Sequence, residues 1–105
     1  MNKSIDTLTL HIKQWGEDRG IIANARPLGQ AIKTLEETTE LLDAINTNNS
    51  SLVADSIGDV FVTLVMVAET SGLDISECID MAYEEIKCRK GYLTPEGVFI
   101  KEVEL

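Results

Sequence analysis

The chain has 105 residues, with 18 acidic and 9 basic side chains and a formal net charge of −9. That length is the size of one domain, residues 1–105, and its 44% apolar content separates it from disordered acidic proteins. So acidic a balance repels nucleic-acid strands and anionic membranes, yet leaves room for a small phosphorylated substrate whose charge a cation screens.

The pattern predicts four helices and a short tail. The first helix runs from about Ser4 to Arg19, with Ile5, Leu8, Ile12 and Trp15 at helical spacing. Gly20 ends it in the usual place for a left-handed cap, and residues 20–26 are expected to form a loop. The second helix spans roughly Pro27 to Ile45, with Pro27 suited to its first turn and Leu28, Ile32, Leu35, Leu42 and Ile45 as its apolar stripe. Asn46-Thr47-Asn48-Asn49-Ser50-Ser51 is a polar loop ending in capping residues.

The third helix spans roughly Leu52 to Thr70. From Val60 to Ala68 it is apolar on nearly every face, as befits a helix buried on all sides. A strand competes locally for this β-prone run; its length and its helical neighbours favour helix. Asp74 with Glu77 resembles a capping box opening a fourth helix, which carries Ile75, Ile79, Ala82 and Ile86 and ends at Gly91. Pro95-Glu96-Gly97 then makes a turn between two short apolar runs. A hairpin this small is marginal alone and is expected to pack on the bundle or on a partner chain.

Cys78 and Cys88 lie ten residues apart in a helical segment, ~15 Å along the axis, too far for a disulfide. They read as reduced thiols of a cytoplasmic protein. Met1-Asn2-Lys3-Ser4-Ile5-Asp6 lacks the apolar core of a signal peptide, and the run from Val60 to Ala68 is too short to span a membrane.

The chemistry concentrates on the second and third helices. Glu37 and Glu40 are three residues apart and share a face, with Lys33 on the same stripe; Asp55 and Asp59 are four apart and share another. Asp59 directly precedes the buried run, where a lone carboxylate costs several kcal/mol, about the figure for an unpaired buried ion. It must be paired, open to a cleft, or bound to a cation. Gly58 beside it lets a backbone or a ligand come close.

If the two helices are antiparallel neighbours, the two pairs of acids face each other. Such a cluster cannot stay fully ionised without a cation. Oxygen-only ligands select a hard ion, magnesium or manganese. A di-iron bundle would want Glu-x-x-His pairs, and the single histidine, His11, stands in no such motif. The plainer alternative is a solvated acidic face on a non-catalytic interaction module.

Leu35-Glu36-Glu37-Thr38-Thr39-Glu40-Leu41-Leu42-Asp43-Ala44 followed by Ile57-Gly58-Asp59-Val60 resembles the MazG-like nucleoside triphosphate pyrophosphohydrolases, whose pattern is Glu-x-x-Glu, a short gap, then Glu-x-x-Asp in an all-α fold. The likeness extends over nearly the whole chain. Trp15-Gly16-Glu17-Asp18-Arg19-Gly20 is similar to the family's first helix, and Ile86-Lys87-Cys88-Arg89-Lys90-Gly91 with Gly97 to Glu102 is similar to its short phage-type and bacterial members.

The resemblance implies magnesium-dependent hydrolysis of a nucleoside triphosphate to the monophosphate and pyrophosphate. Glu37, Glu40 and Asp59 would be metal ligands. The family's second Glu falls at Ser56, so Asp55 is the expected substitute. Glu36 or Glu37 would take the proton of the attacking water, with a solvated or merely supporting role an equal alternative for Glu36. Lys33, Lys87, Arg89 and Lys90 are candidates for the phosphates, with Tyr83 on the stripe of Lys87 and Lys90; Trp15 is a candidate to stack on a base, and Arg19 to serve phosphate or only the helix end. For Lys87, Arg89 and Lys90, favourable charge at a helix C-terminus is an equal alternative; for Trp15, core packing is the plainer one. The family's assembly implies a homodimer or homotetramer, and a nucleotide-binding regulator that does not cleave is a further alternative.

Overall fold

Ser4 opens the first helix. Its hydroxyl accepts the Thr7 amide at 3.1 Å, satisfying a donor the helix leaves unpaired. Helix α1 runs Ile5–Asp18 in the computed structural model, which describes residues 2–102. Gly20 follows at φ 75°, ψ 10°, the left-handed conformation glycine reaches without a Cβ clash. The expected loop at 20–26 instead contains a short helix, α2, Ile21–Asn24. Its Ile21 and Ile22 pack on the buried cluster of Val65, Met66, Ala68 and Ile75. That packing sustains a turn too short to persist as an isolated helix.

Helix α3 runs Pro27–Asn46 with the proline in its first turn, where no amide hydrogen is missed. Helix α4 runs Ser50–Thr70. Its cap is Asn49, whose side chain accepts the Leu52 amide at 3.1 Å. Ser50 and Ser51, expected in the loop, are therefore already helical. The link shrinks to Thr47-Asn48-Asn49, with Asn48 at φ 55°, and so short a turn makes α3 and α4 antiparallel neighbours. Their pairing is the most extensive in the chain. Taken whole, α4 is long and apolar enough to cross a bilayer by length and composition, which the Val60–Ala68 run alone understated.

The chain divides into two compact units, Met1–Ile75 and Ser76–Leu105. In the first, α1 and α2 also pack on α4, and Lys13 of α1 lies 3.8 Å from Glu69 and 3.7 Å from Asp74. The core is small: among the described residues the buried apolar side chains are Ala44, Val65, Met66, Ala68 and Ile75. Within the run read as buried on all sides, Thr63, Val65, Met66 and Ala68 are buried while Leu64 is exposed.

The second unit holds α5 beyond its first residue, since α5 runs Ile75–Ile86, and a hairpin. The helix stops at Ile86 rather than Gly91. The backbone just beyond is claimed by strand pairing: the Glu102 amide donates to the Lys90 carbonyl at 2.7 Å, and β1, Gly91–Leu93, pairs antiparallel with β2, Phe99–Lys101. Gly97 lies in the expected turn, its amide donating to the Thr94 carbonyl at 2.9 Å. The architecture is all-α with this small appendage, as the sequence indicates, plus one short helix.

Candidate metal centre

Antiparallel packing of α3 on α4 makes residue numbers rise along one helix as they fall along the other. Thr34 faces Thr63, hydroxyl to hydroxyl at 2.8 Å. One turn further along α3, and one turn back along α4, Glu37 faces Asp59. One carboxylate oxygen from each of Glu37, Glu40 and Asp59 lies within 4.8 Å of the others. The acids read from the Glu-x-x-Glu spacing and from the edge of the apolar run thus converge.

Electrostatics marks the cluster as incomplete. The Glu37 carboxyl is pushed above the ordinary carboxylate range, first by hydrogen-bonding contact with Glu40, then by burial and by the charges of Glu40 and Asp59, against a smaller opposing pull from Lys33. Asp59 is pushed up by burial first, then by the charges of Asp55 and Glu40. Glu37 Oε2 is shut off from solvent and has no hydrogen-bond partner among the described residues. Buried polar atoms are nearly always paired. An orphaned oxygen beside two further carboxylates has the chemistry of a hard divalent cation site, so these residues fit magnesium or manganese.

The other candidates distribute as follows. Asp55 is exposed and lies outside the three-acid group, although its carboxyl is in hydrogen-bonding contact with Asp59. The inward position on that turn belongs to Ser56, which is 1% exposed. Glu36 is exposed and paired to Lys33, Nζ to Oε2 at 3.0 Å; that hydrogen bond and the Glu36 charge raise the Lys33 pKa. His11 is exposed on α1 and is no part of the cluster.

A cleft of about 390 Å³ opens beside the acids, with Glu37 and Asp59 in its wall. Trp15 and Lys33 line it, as do Gln30 and Thr63, over an apolar floor that includes Ile21, Val62 and Met66. Arg19 does not line the cleft; its guanidinium lies over the Trp15 ring, 5.4 Å from the centroid, a cation–π contact. Gln30 stands with Lys33 ahead of the Glu pair, a placement the resemblance shares, while Thr63 is not marked from sequence; its one signal is that it follows Asp59 by one turn. Ile21 was hidden by the loop assigned there.

Tyr83, Lys87, Arg89 and Lys90 belong to the second unit. There Tyr83 is exposed, Lys87 pairs with Glu84, and Arg89 reaches Glu85 at 3.1 Å. These three basic residues do not end a helix as expected, because α5 stops before them.

A second, more apolar groove of about 540 Å³ runs between α1 and α4, bordered by Asp55 and Asp59 and lined by Leu8, Ile12, Ile57 and Phe61. Gly58 also lines it, and a side chain there would meet no atom within 4 Å.

Comparison with known proteins adds three findings. A family model described as the MazG nucleotide pyrophosphohydrolase domain matches residues 29–93. An uncharacterized 18.2 kDa protein of Haemophilus phage HP1, from the rep-hol intergenic region, is 37% identical over 70 residues. The match takes in 67% of this chain and 43% of that protein, so the chain spans about two-fifths of the relative's length. A MazG-like pyrophosphohydrolase of cyanophage S-2L, bound to dGDP and three catalytic Mn2+ ions per active site, has a similar fold: TM-score 0.71, 21% identity, covering 100% of this chain and 99% of that one.

Proposed function

Since the chain belongs to the MazG nucleotide pyrophosphohydrolase domain family, we propose that it hydrolyses a nucleoside or deoxynucleoside triphosphate to the monophosphate and pyrophosphate, and that residues 1–105 act as one MazG-like domain. The observation that carries this reading is the convergence of Glu37, Glu40 and Asp59 with Glu37 Oε2 unpartnered. The dGDP and Mn2+ bound by the cyanophage protein of like fold support a nucleotide and a divalent cation. The family match itself runs through both compact units.

In this mechanism Glu37, Glu40 and Asp59 would hold the cation, Mg2+ or Mn2+, with Asp55 in reserve beside Asp59. When bound, the cation would supply neutralisation of phosphate charge and a more acidic water. The Glu37 carboxylate oxygen left free of the cation would take the proton of the attacking water. Glu36 is committed to Lys33, which leaves Glu37 the better base. Lys33 presents its ammonium to phosphate oxygens from the cleft wall. Trp15 stacks on the base, steadied by Arg19 over its ring. Tyr83, Lys87, Arg89 and Lys90, proposed for the nucleotide on the family resemblance, belong to the second unit.

The working form is a homodimer or homotetramer. Among the described residues five buried apolar side chains make a thin core, whereas Leu28, Ile32, Leu35 and Leu42 of α3 and Ile57 and Leu64 of α4 are exposed. Exposed apolar side chains on these two helices support such an assembly. We place the protein in the cytoplasm, consistent with its two free cysteines, Cys78 and Cys88, and acting on free nucleotides rather than on nucleic-acid strands or membranes.

The test is pyrophosphate release from a panel of NTPs and dNTPs with Mg2+ or Mn2+. Release that disappears in Glu40→Gln and Asp59→Asn, with helicity retained, supports the enzyme. Tight nucleotide binding without release in the wild-type protein contradicts it.

A further inference from the structure

A hydroxyl bridge crosses from α3 to α4 one turn from the acids. Thr34 Oγ1 donates to Thr63 Oγ1 at 2.8 Å, and Thr63 Oγ1 donates onward to the Val60 carbonyl at 2.7 Å. The bridge is therefore continuous from one helix to the backbone of the other. Thr63 is buried and sits in the middle of the apolar run from Val60 to Ala68, where its isostere valine would be the ordinary occupant. A hydroxyl placed there must find a partner or cost free energy, and Thr34 supplies that partner.

The location matters more than the bond's own strength. Thr34 precedes Glu37 by one turn, and Thr63 follows Asp59 by one turn. In antiparallel helices those displacements run the same way, so the bridge and the acids occupy adjacent levels of one seam. Glu37, Glu40 and Asp59 repel one another, which favours sliding or rotation of α3 against α4. Apolar contacts resist separation but are non-directional, so they leave register loosely fixed. A hydrogen bond between two short side chains is directional and holds it.

We propose that the Thr34–Thr63 bridge is a positioning device for the carboxylate centre, fixing the register in which Glu37 and Asp59 face one cation. This assignment holds only if Glu37, Glu40 and Asp59 are cation ligands, as the proposed function has it. Thr34 does not line the cleft, whereas Thr63 does, so Thr34 acts on the site only through Thr63. Breaking the bridge leaves the fold nearly intact: valine preserves the volume at position 63, and Thr34 Oγ1 already lies 3.2 Å from the Gln30 carbonyl, a second acceptor.

The experiment titrates Mn2+ alone, without nucleotide, into wild type, Thr34→Val, Thr63→Val, Thr63→Ser and the double valine variant. Binding is read by electron paramagnetic resonance and helicity by circular dichroism. Each single valine variant is expected to bind Mn2+ about tenfold more weakly, the low end of the range for groups bonded directly to metal ligands because the bridge acts one step further out, with helicity unchanged. Thr63→Ser keeps wild-type affinity. The double variant loses no more than either single one, because each removes the same bond. Valine variants that bind Mn2+ like wild type overturn the proposal while leaving the metal centre standing, and so do losses that simply add. Wild-type protein that binds no Mn2+ overturns both. Should Thr63→Val lose helicity, Thr34→Val carries the same two outcomes.

Discussion

Gly16 of α1 lies directly against the thioether of Met66 on α4: a methyl group placed on Gly16 would stand 2.5 Å from the Met66 sulfur. Met66 is 2% exposed and also floors the cleft beside the acids, so this close helix crossing joins the core to the site. Gly16→Ala is expected to destabilise the protein by about 1–3 kcal/mol, as overpacking does, and to raise KM as Met66 shifts into the cleft. Chemical denaturation alongside steady-state kinetics checks both. An alanine variant with wild-type stability would show that Met66 yields freely.

The proposed function gives Glu36 and Glu37 separable roles. Glu36→Gln removes only an exposed pair with Lys33, and surface pairs contribute little to stability. It should keep most of the activity. Glu37→Gln should reduce kcat by about a hundredfold or more, the scale for loss of a general base, and weaken Mn2+ binding as well. Equal losses from the two substitutions would assign the base wrongly. Lys33→Met is expected to raise KM for the triphosphate with little change in Tm.

The raised carboxyls set a pH dependence with a definite sign. Glu37 and Asp59 bind protons more tightly in the folded protein than in the unfolded chain. Their contribution to metal-free stability is therefore fully present below the unfolded-state values and is lost as pH rises through the raised folded ones. In chelator, the metal-free protein should melt higher just below the raised range than at neutral pH, other groups being equal. Asp59→Asn should raise the neutral-pH Tm and flatten this slope while abolishing Mn2+ binding. Cation affinity runs the opposite way, falling as pH falls, because the ligands must first lose their protons. Thermal melts across pH, with and without Mn2+, read both trends.

Trp15 is the chain's one tryptophan and lines the cleft, so its fluorescence reports on the site. Nucleotide added with Mn2+ should quench it, and the quench should disappear in Glu40→Gln. Trp15→Phe should retain more affinity than Trp15→Ala, because a smaller ring still stacks.

Much of this arrangement was legible in the residues. Glu37 and Glu40 share a face by spacing alone, and Asp59 stood out because a carboxylate rarely borders a run as apolar as Val60 to Ala68. Gly20 and Pro27 correctly marked two boundaries through their backbone preferences. What escaped depended on tertiary contact or on competing backbone partners. The four residues of α2 have no periodicity to detect, and packing of Ile21 and Ile22 makes them helical. The end of α5 at Ile86 is set by strand pairing at Gly91, a partner beyond the helix's own pattern. Asp55 and Ser56 differ by one position, and only the rotation of α4 decides that Ser56 turns inward. The Thr34–Thr63 bridge joins residues far apart in sequence, which no local spacing reveals.

Anomalous diffraction from crystals of the wild-type protein soaked in Mn2+ tests the carboxylate centre most directly. The account predicts strong anomalous density among the Glu37, Glu40 and Asp59 oxygens, with Glu37 Oε2 among its nearest neighbours. Saturating Mn2+ that leaves this position without density, or that collects at other acids instead, would contradict it.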